Sequence, residues 1–407
     1  MAGQLLSVEE ALKRIMDTVG APVPDEELPL SECLGRYLAR DIAATRNQPP
    51  FRASAMDGYA LRSADITSLP KTFQLVGESA AGKRFDGSIG KDEAIRIFTG
   101  APVPDDADTV VMQEDTTASD ETVDIEVFHP SKRHIRDAGI DFATGQILLE
   151  AGLRLDARHL GLAAAMGLDR LPVRVKPRIA ILATGDELVE PGGSCNEDQI
   201  FSSNSYSLKA LAEDAGAEVI DLGIARDDTA SLKAAFAELK RMKPHMLITM
   251  GGVSVGDRDL VQPVLLEEGM TLDFWKVAIR PGKPLMFGTL DSVLLFGLPG
   301  NPVSAYITGL IFAVPAIRAF LGARNAGQQQ LESCLLGADI AANGERQDHL
   351  RATLGYDADG FLTATPMELQ DSSLLSVLAN ADALIVRKPL EAASPKGSLC
   401  RIIRLGL

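Results

Sequence analysis

From Pro177 to about Ala323, short runs rich in apolar residues alternate with amphipathic ones. Residues 178–183 (RIAILA), 218–222 (EVIDL) and 245–250 (HMLITM) are runs of strand length. Between them, 203–215 and 228–241 carry apolar residues at helical spacing, the second opened by Asp227 or Asp228 as an N-cap. A further helix is expected from about 258 to 268, short strands at 284–288 and 292–297, and a helix at 302–321. Strands alternating with helices predict a doubly wound, mostly parallel sheet.

The flanks read differently. LPVRVKPR (171–178) and GARNAGQQQ (322–330) look like joints, and before the first lie short β-like runs rich in Gly and Pro at 46–146. Helical patterns at 7–19 and 156–167 bracket that stretch, and short alternating runs follow the second joint (LRATLGY, FLTATPM, ALIVR, SLCRIIRL). The expected fold is multidomain α/β, with a β-rich N-terminal insertion and a small C-terminal β-barrel or sandwich. The expected division is 1–176 (inserted subdomain about 46–146), 177–325 and 326–407.

Composition narrows the function. The 407 residues carry a net charge of −16, which argues against broad nucleic-acid or anionic-membrane binding. Four cysteines and five histidines are scattered without metal-ligand spacing, so a zinc, copper or iron centre is not expected, and any metal should be Mg²⁺ on oxygen ligands. The start, MAGQLLSVEEALKR, lacks the basic and apolar regions of a secretory signal. The uncharged stretch 292–317 is broken by Pro299, Asn301, Pro302 and Pro315 and reads as strand, loop and helix. A cytoplasmic protein is the expectation.

Three loops follow predicted strands: Thr184-Gly185-Asp186-Glu187, Gly251-Gly252-Val253-Ser254-Val255-Gly256 and Leu298-Pro299-Gly300-Asn301-Pro302-Val303-Ser304. A tight strand-to-helix turn would explain any one of them. Three at equivalent places favour a shared site for phosphate or another oxyanion, because ligands of open parallel sheets bind outside the carboxyl ends of strands. Trp275 to Pro284 adds Lys276, Arg280 and Lys283 around a Pro-Gly bend, read as a polyanion pocket in preference to a solvated loop. Asp57, Asp141, Asp186, Glu187, Asp227, Asp228, Asp257 and Asp259 supply carboxylates on loops. Helix capping is the favoured reading for Asp227-Asp228, whereas the acids of TGDEL follow a buried strand. Gly252 to Gly256 also matches G-x-S-x-G, yet the histidine a hydrolase needs downstream exists only as His349, beyond the second joint.

SAMDGYA, IFTGAPVP, VVMQED, ATGDEL, LGIARDD, GGVSVGDRD, AIRPGKP and GLPGNPVSA stand in the order and spacing of the MoeA family, which the chain resembles from about residue 7 to its end. The resemblance implies a molybdopterin molybdenumtransferase, related to gephyrin's C-terminal region. Such an enzyme inserts molybdenum from molybdate into adenylylated molybdopterin, with Mg²⁺ and release of AMP. It implies an elongated homodimer with a site shared between the central domain of one subunit and the N-terminal part of the other. It also suggests a molybdopterin adenylyltransferase as partner. By position, Asp57, Thr99, Arg136 and Asp141 would come from the N-terminal region. Glu187, Asp227, Asp259, Lys276, Lys283, Pro299, Pro302 and Ser304 would come from the central one, and Arg351 and Ser372 from the tail. Lys276, Arg280, Lys283, Arg351, Ser304 and Ser372 would hold molybdate. Gly251, Gly252, Ser254, Gly256, Gly300 and Asn301 would cradle the pterin phosphate or nucleotide. Asp186, Glu187, Asp57 and Asp259 would place Mg²⁺. Arg280 stands where the family usually has lysine, a planar fork in place of a point charge. The central part also resembles molybdopterin adenylyltransferases and CinA-type hydrolases, and gephyrin suggests a scaffold. SAMDGYA and IFTGAP favour the molybdenum-inserting step.

Overall fold

The computed structural model describes residues 5–252 and 260–406. Helix α1 (Val8–Thr18) starts where the Ser7 hydroxyl accepts the Glu10 N–H at 3.0 Å. Its buried residues Val8, Ala11, Leu12 and Ile15 fall on one face and join the core of the central sheet. The insertion is a curled six-stranded sheet of β1 (Gly58–Leu61), β2 (Lys71–Ser79), β3 (Glu93–Ile97), β4 (Thr109–Met112), β5 (Thr116–Ala118) and β6 (Thr122–Ile125). The order is β4-β1-β3-β2-β6-β5, and only β2 and β3 run parallel. Alternation divides its residues between two apolar clusters: Ala60 packs on one face, Tyr59 and Leu61 on the other. The sheet is followed by α2 (Ala157–Ala165), capped by Asp156.

The central unit runs β7 (Arg178–Thr184), α3 (Asn204–Asp214), β8 (Glu218–Ala225), α4 (Thr229–Met242), β9 (Met246–Met250), α5 (Val261–Glu267), β10 (Thr271–Phe274), β11 (Ile279–Arg280), β12 (Met286–Leu290), β13 (Val293–Leu298), α6 (Pro302–Thr308) and α7 (Val314–Phe320). The sheet order is β8-β7-β9-β13-β12-β10. The first four strands are parallel, β12 runs opposite to them, and β10, antiparallel to β12, points the same way as the first four. The expected sheet is present. Strand β10, with its exposed threonine and aspartate, shows no apolar run to announce it. From Pro302 to Phe320 the chain is apolar enough to span a bilayer, but 78% of its most apolar window is buried inside the protein. Its hydrophobicity serves the core, where Val303, Ile307, Phe312 and Ile317 pack beneath the sheet.

The C-terminal unit is a barrel rather than a sandwich. Strands β14 (Glu332–Leu336), β15 (Gln347–Tyr356), β16 (Leu362–Pro366), β17 (Ala383–Arg387) and β18 (Leu399–Arg404) follow the order β15-β16-β14-β18-β17, and β17 pairs back onto β15 to close it. Small interior residues (Ala352, Ala364, Ala383, Cys334, Cys400) fit so narrow a lumen. Strand β11, from the middle of the central unit, pairs in parallel with the start of β15, Arg280 opposite Asp348.

Candidate functional site

The parallel neighbours β7, β9 and β13 end side by side at Thr184, Met250 and Leu298. Their loops line a cavity of about 610 Å³ with Glu187, Gly251, Gly252, Pro299, Gly300, Asn301 and Pro302 in its wall. That volume suits a small-molecule ligand. The glycines are required by geometry. Gly251 has φ 90° and Gly252 φ 66°. A Cβ on Gly251 would sit 2.6 Å from the Thr184 carbonyl oxygen, and one on Gly252 would sit 2.1 Å from Val261 Cγ2. Pro302 occupies the first turn of α6, where its missing N–H costs nothing.

The N-cap of α6 is completed from another unit. Asn301 makes no side-chain cap bond; its Nδ2 donates to Ser372 Oγ at 3.0 Å, while the Val303 N–H donates to the Ser372 carbonyl at 3.1 Å. Ser304 is buried on the next position. Arg351, 1% exposed, donates through Nη2 to the Asp371 carbonyl at 3.0 Å, and its Nε has no partner. Burial holds its guanidinium below the usual arginine range, with Asp371 partly offsetting this. An orphaned donor in a nearly dry site is costly unless an anion takes it up.

Of the basic run, Pro284 lines the cavity. The Val277 N–H closes the bend on the Lys283 carbonyl at 3.1 Å. Lys276 lies 4.8 Å from the Trp275 ring centroid, Lys283 is exposed, and Arg280 pairs with the carboxylate of Asp348. Asp348 is 2% exposed and burial raises its carboxyl, while Arg280 lowers it.

Of the acids on the loops after β7 and β8, Glu187 lines the cavity, and the others divide their roles. Asp228 caps α4, accepting the Ser231 N–H at 2.8 Å. Asp227 is left over: its N–H donates to Asp186 Oδ1 at 3.3 Å, and its carboxyl is pushed up by partial desolvation and then by Asp186 and Glu187. Mutual repulsion of this kind is what a divalent cation relieves. Among the described residues no group of three His, Cys, Asp or Glu forms a metal cage. Hard oxygen donors without a cage fit Mg²⁺, which usually takes one or two carboxylates beside substrate phosphate and water.

Asp57, Thr99, Arg136 and Asp141 all belong to the N-terminal region, and none lines the cavity of their own chain. The Thr99 N–H and Oγ1 both donate to Asp57 Oδ1 at 2.7 Å, and these bonds, backbone first, lower the Asp57 carboxyl, helped by Arg96. Ile135–Arg136 pairs with Ala53–Ser54, and the Asp141 N–H donates to the Gln48 carbonyl at 3.0 Å. Ser254, Gly256 and Asp259 lie outside the described residues. Sequence reasoning passed over Arg96, whose guanidinium stacks 5.0 Å from both the Tyr59 and Phe98 centroids. It also passed over Asn204, whose Nδ2 donates to the Gly300 carbonyl at 2.7 Å, and Ser373 in the cavity wall. The small polar run at 202–205 was the only signal for Asn204.

Known proteins match throughout. Family profiles described as "MoeA N-terminal region (domain I and II)", "Probable molybdopterin binding domain" and "MoeA C-terminal region (domain IV)" cover residues 6–167, 180–319 and 334–405. A molybdopterin molybdenumtransferase of Haemophilus influenzae is 34% identical over 94% of this chain and 94% of its own. The chain belongs to the MoeA family of molybdopterin molybdenumtransferases. A Bacillus subtilis molybdopterin molybdenumtransferase is likewise 34% identical, covering 94% and 90%. Gephyrin of Dictyostelium discoideum is 33% identical over 98% of this chain and 62% of its own length. A solved molybdopterin biosynthesis MoeA protein of Pyrococcus horikoshii superposes with a TM-score of 0.82 at 28% identity, over 99% of this chain and all of that one. The work of this MoeA-family chain is molybdenum cofactor biosynthesis.

Proposed function

We propose that this MoeA-family protein transfers molybdenum from molybdate to adenylylated molybdopterin and releases AMP. The supporting observation is the junction at α6, where the C-terminal loop around Ser372 meets the Pro299–Pro302 turn beside an orphaned, buried Arg351 Nε. Molybdate is a tetrahedral dianion. The Ser304 and Ser372 hydroxyls, Arg351, Lys276, Lys283 and Arg280 would hold it. Gly251, Gly252, Pro299, Gly300, Asn301 and Pro302 would leave room for the pterin phosphate or nucleotide, and Ser254 and Gly256 are part of the same proposal.

Asp186 and Glu187, with Asp227 beside them and Asp259 and Asp57 completing the set, would hold Mg²⁺, which supplies charge neutralisation on the phosphoanhydride. No protein nucleophile is invoked. Charge placement and orientation carry the reaction, with Thr99 keeping Asp57 ionised through its two hydrogen bonds.

The separation of Asp57, Thr99, Arg136 and Asp141 from the cavity of their own chain supports a homodimer in which each N-terminal insertion serves the partner's site. A molybdopterin adenylyltransferase would supply the substrate, and the cytoplasm would be the compartment. We divide the chain functionally into 1–176, 177–325 and 326–407. Incubation with adenylylated molybdopterin, molybdate and Mg²⁺, followed by assay of AMP and active cofactor, tests the reading. Absence of AMP release overturns it.

A further inference from the structure

Beyond Pro366, which pairs with Ala352, the barrel strand β16 ends and the chain leaves the sheet. The next stretch carries Ser372 to α6, so something must fix its path. The Met367 N–H begins this, donating to the Arg351 carbonyl at 2.8 Å, and Gln370 continues it with its side chain. Its Oε1 accepts the Arg351 N–H at 3.0 Å, and its Nε2 donates to the Arg351 carbonyl at 2.9 Å and to the Met367 carbonyl at 2.7 Å. Beyond the Met367 backbone bond, the amide thus completes the ladder at Arg351: it takes up the Arg351 N–H and adds a second donor on its carbonyl. The orientation is dictated, because two carbonyls require the NH₂ end and one N–H requires the oxygen. From this fixed point Arg351 Nη2 holds the Asp371 carbonyl at 3.0 Å, and Ser372 follows with its hydroxyl on Asn301 and its carbonyl on Val303.

We propose that Gln370 is a positioning residue for the oxyanion half of the site: its amide splints the 367–372 segment to Arg351 and so sets the place of the Ser372 hydroxyl against α6. The proposal rests on the molybdate-binding reading for its consequence in catalysis, and on hydrogen bonds alone for its consequence in structure. Gln370→Glu is the discriminating variant. It keeps shape and one acceptor, but an ionised carboxylate cannot donate to the two carbonyls and repels both.

Two measurements on the full chain decide the matter. Amide hydrogen exchange at Val303 should accelerate in Gln370→Glu, because its acceptor is carried by the released segment. In steady state the molybdate KM should rise about tenfold, a loss of roughly one hydrogen bond to an ionic ligand. The KM for adenylylated molybdopterin and kcat should change less than about twofold, since uniform binding of a single substrate is what is removed. In a Ser372→Ala background the same change should add little to the molybdate KM, as expected for residues acting as one unit. Unchanged exchange at Val303 overturns the proposal. So does an equal rise in both KM values with a lowered thermal midpoint, which marks general destabilisation. If wild-type protein releases no AMP, the functional reading falls, and the exchange result still decides the role of Gln370.

Discussion

Arg280 and Asp348, 68 positions apart, form an ion pair in which the arginine side chain is half exposed and the aspartate is buried. The pair joins β11 to the barrel at the register point where the two residues face each other. Replacing Asp348 with Ala leaves the fork without its acceptor and is expected to cost about 2 kcal/mol, given that one partner remains solvated. Arg280→Lys keeps the charge but loses the planar fork and should cost less. Urea unfolding of the full chain measures both.

His349, beside that aspartate, is fully buried, and burial pushes its imidazole down to about 4, against a small upward effect of the Arg280 backbone. In the unfolded chain it titrates near the ordinary value of 6.5. Above pH 6.5 neither state is protonated and the residue makes no pH-dependent contribution. Between pH 6.5 and about 4 the unfolded chain takes up a proton that the folded chain refuses, so acid withdraws stability, by about 3 kcal/mol at the lower limit. His349→Phe should flatten that part of the stability–pH profile. An unchanged slope would assign the acid sensitivity to other groups.

Gly251→Ala forces a Cβ against the Thr184 carbonyl in a backbone region that alanine avoids. The loop must move, and the expected result is a rise of at least about tenfold in KM for adenylylated molybdopterin, with strain of a few kcal/mol at the turn. Gly344→Ala, in open space on the C-terminal unit, serves as the control and should leave KM in place.

A site assembled from two subunits makes a genetic prediction. Glu187→Ala and Asp57→Ala should each abolish most AMP release. If Asp57 serves the partner's cavity, mixing the two inactive proteins under subunit exchange should restore about a quarter of wild-type activity, because mixed dimers hold one intact site. No restoration would place both residues in one chain's site.

Much of this was legible in the chain because the central unit speaks in strong local signals. RIAILA and HMLITM, too short for helices and bounded by turn residues, read as buried strands, and Pro302 and the paired glycines mark where loops give way to helices. The barrel's short alternating runs announced strands but not their closure, since β17 meeting β15 depends on contacts between segments thirty or more positions apart. The candidate site divides the same way. Gly251, Asn301 and Pro302 announced themselves through backbone demands. Asn204 reaches the Gly300 carbonyl and Gln370 the Arg351 backbone through single side-chain amides, and nothing in a linear pattern encodes such a partner.

The two-residue strand β11 has a practical consequence. It is drawn from the central unit yet belongs by its hydrogen bonds to the barrel sheet, and the barrel's own loop caps α6 in return. The exchange is mutual, so the C-terminal barrel is not a detachable module. A truncation before residue 332 would strip α6 of the carbonyl that caps it and expose the edge of β11, while an isolated barrel would present an unfilled slot on β15. Fusion partners and tags belong at the ends of the intact chain, and any swap of barrels between relatives must carry residues 277–284 with it.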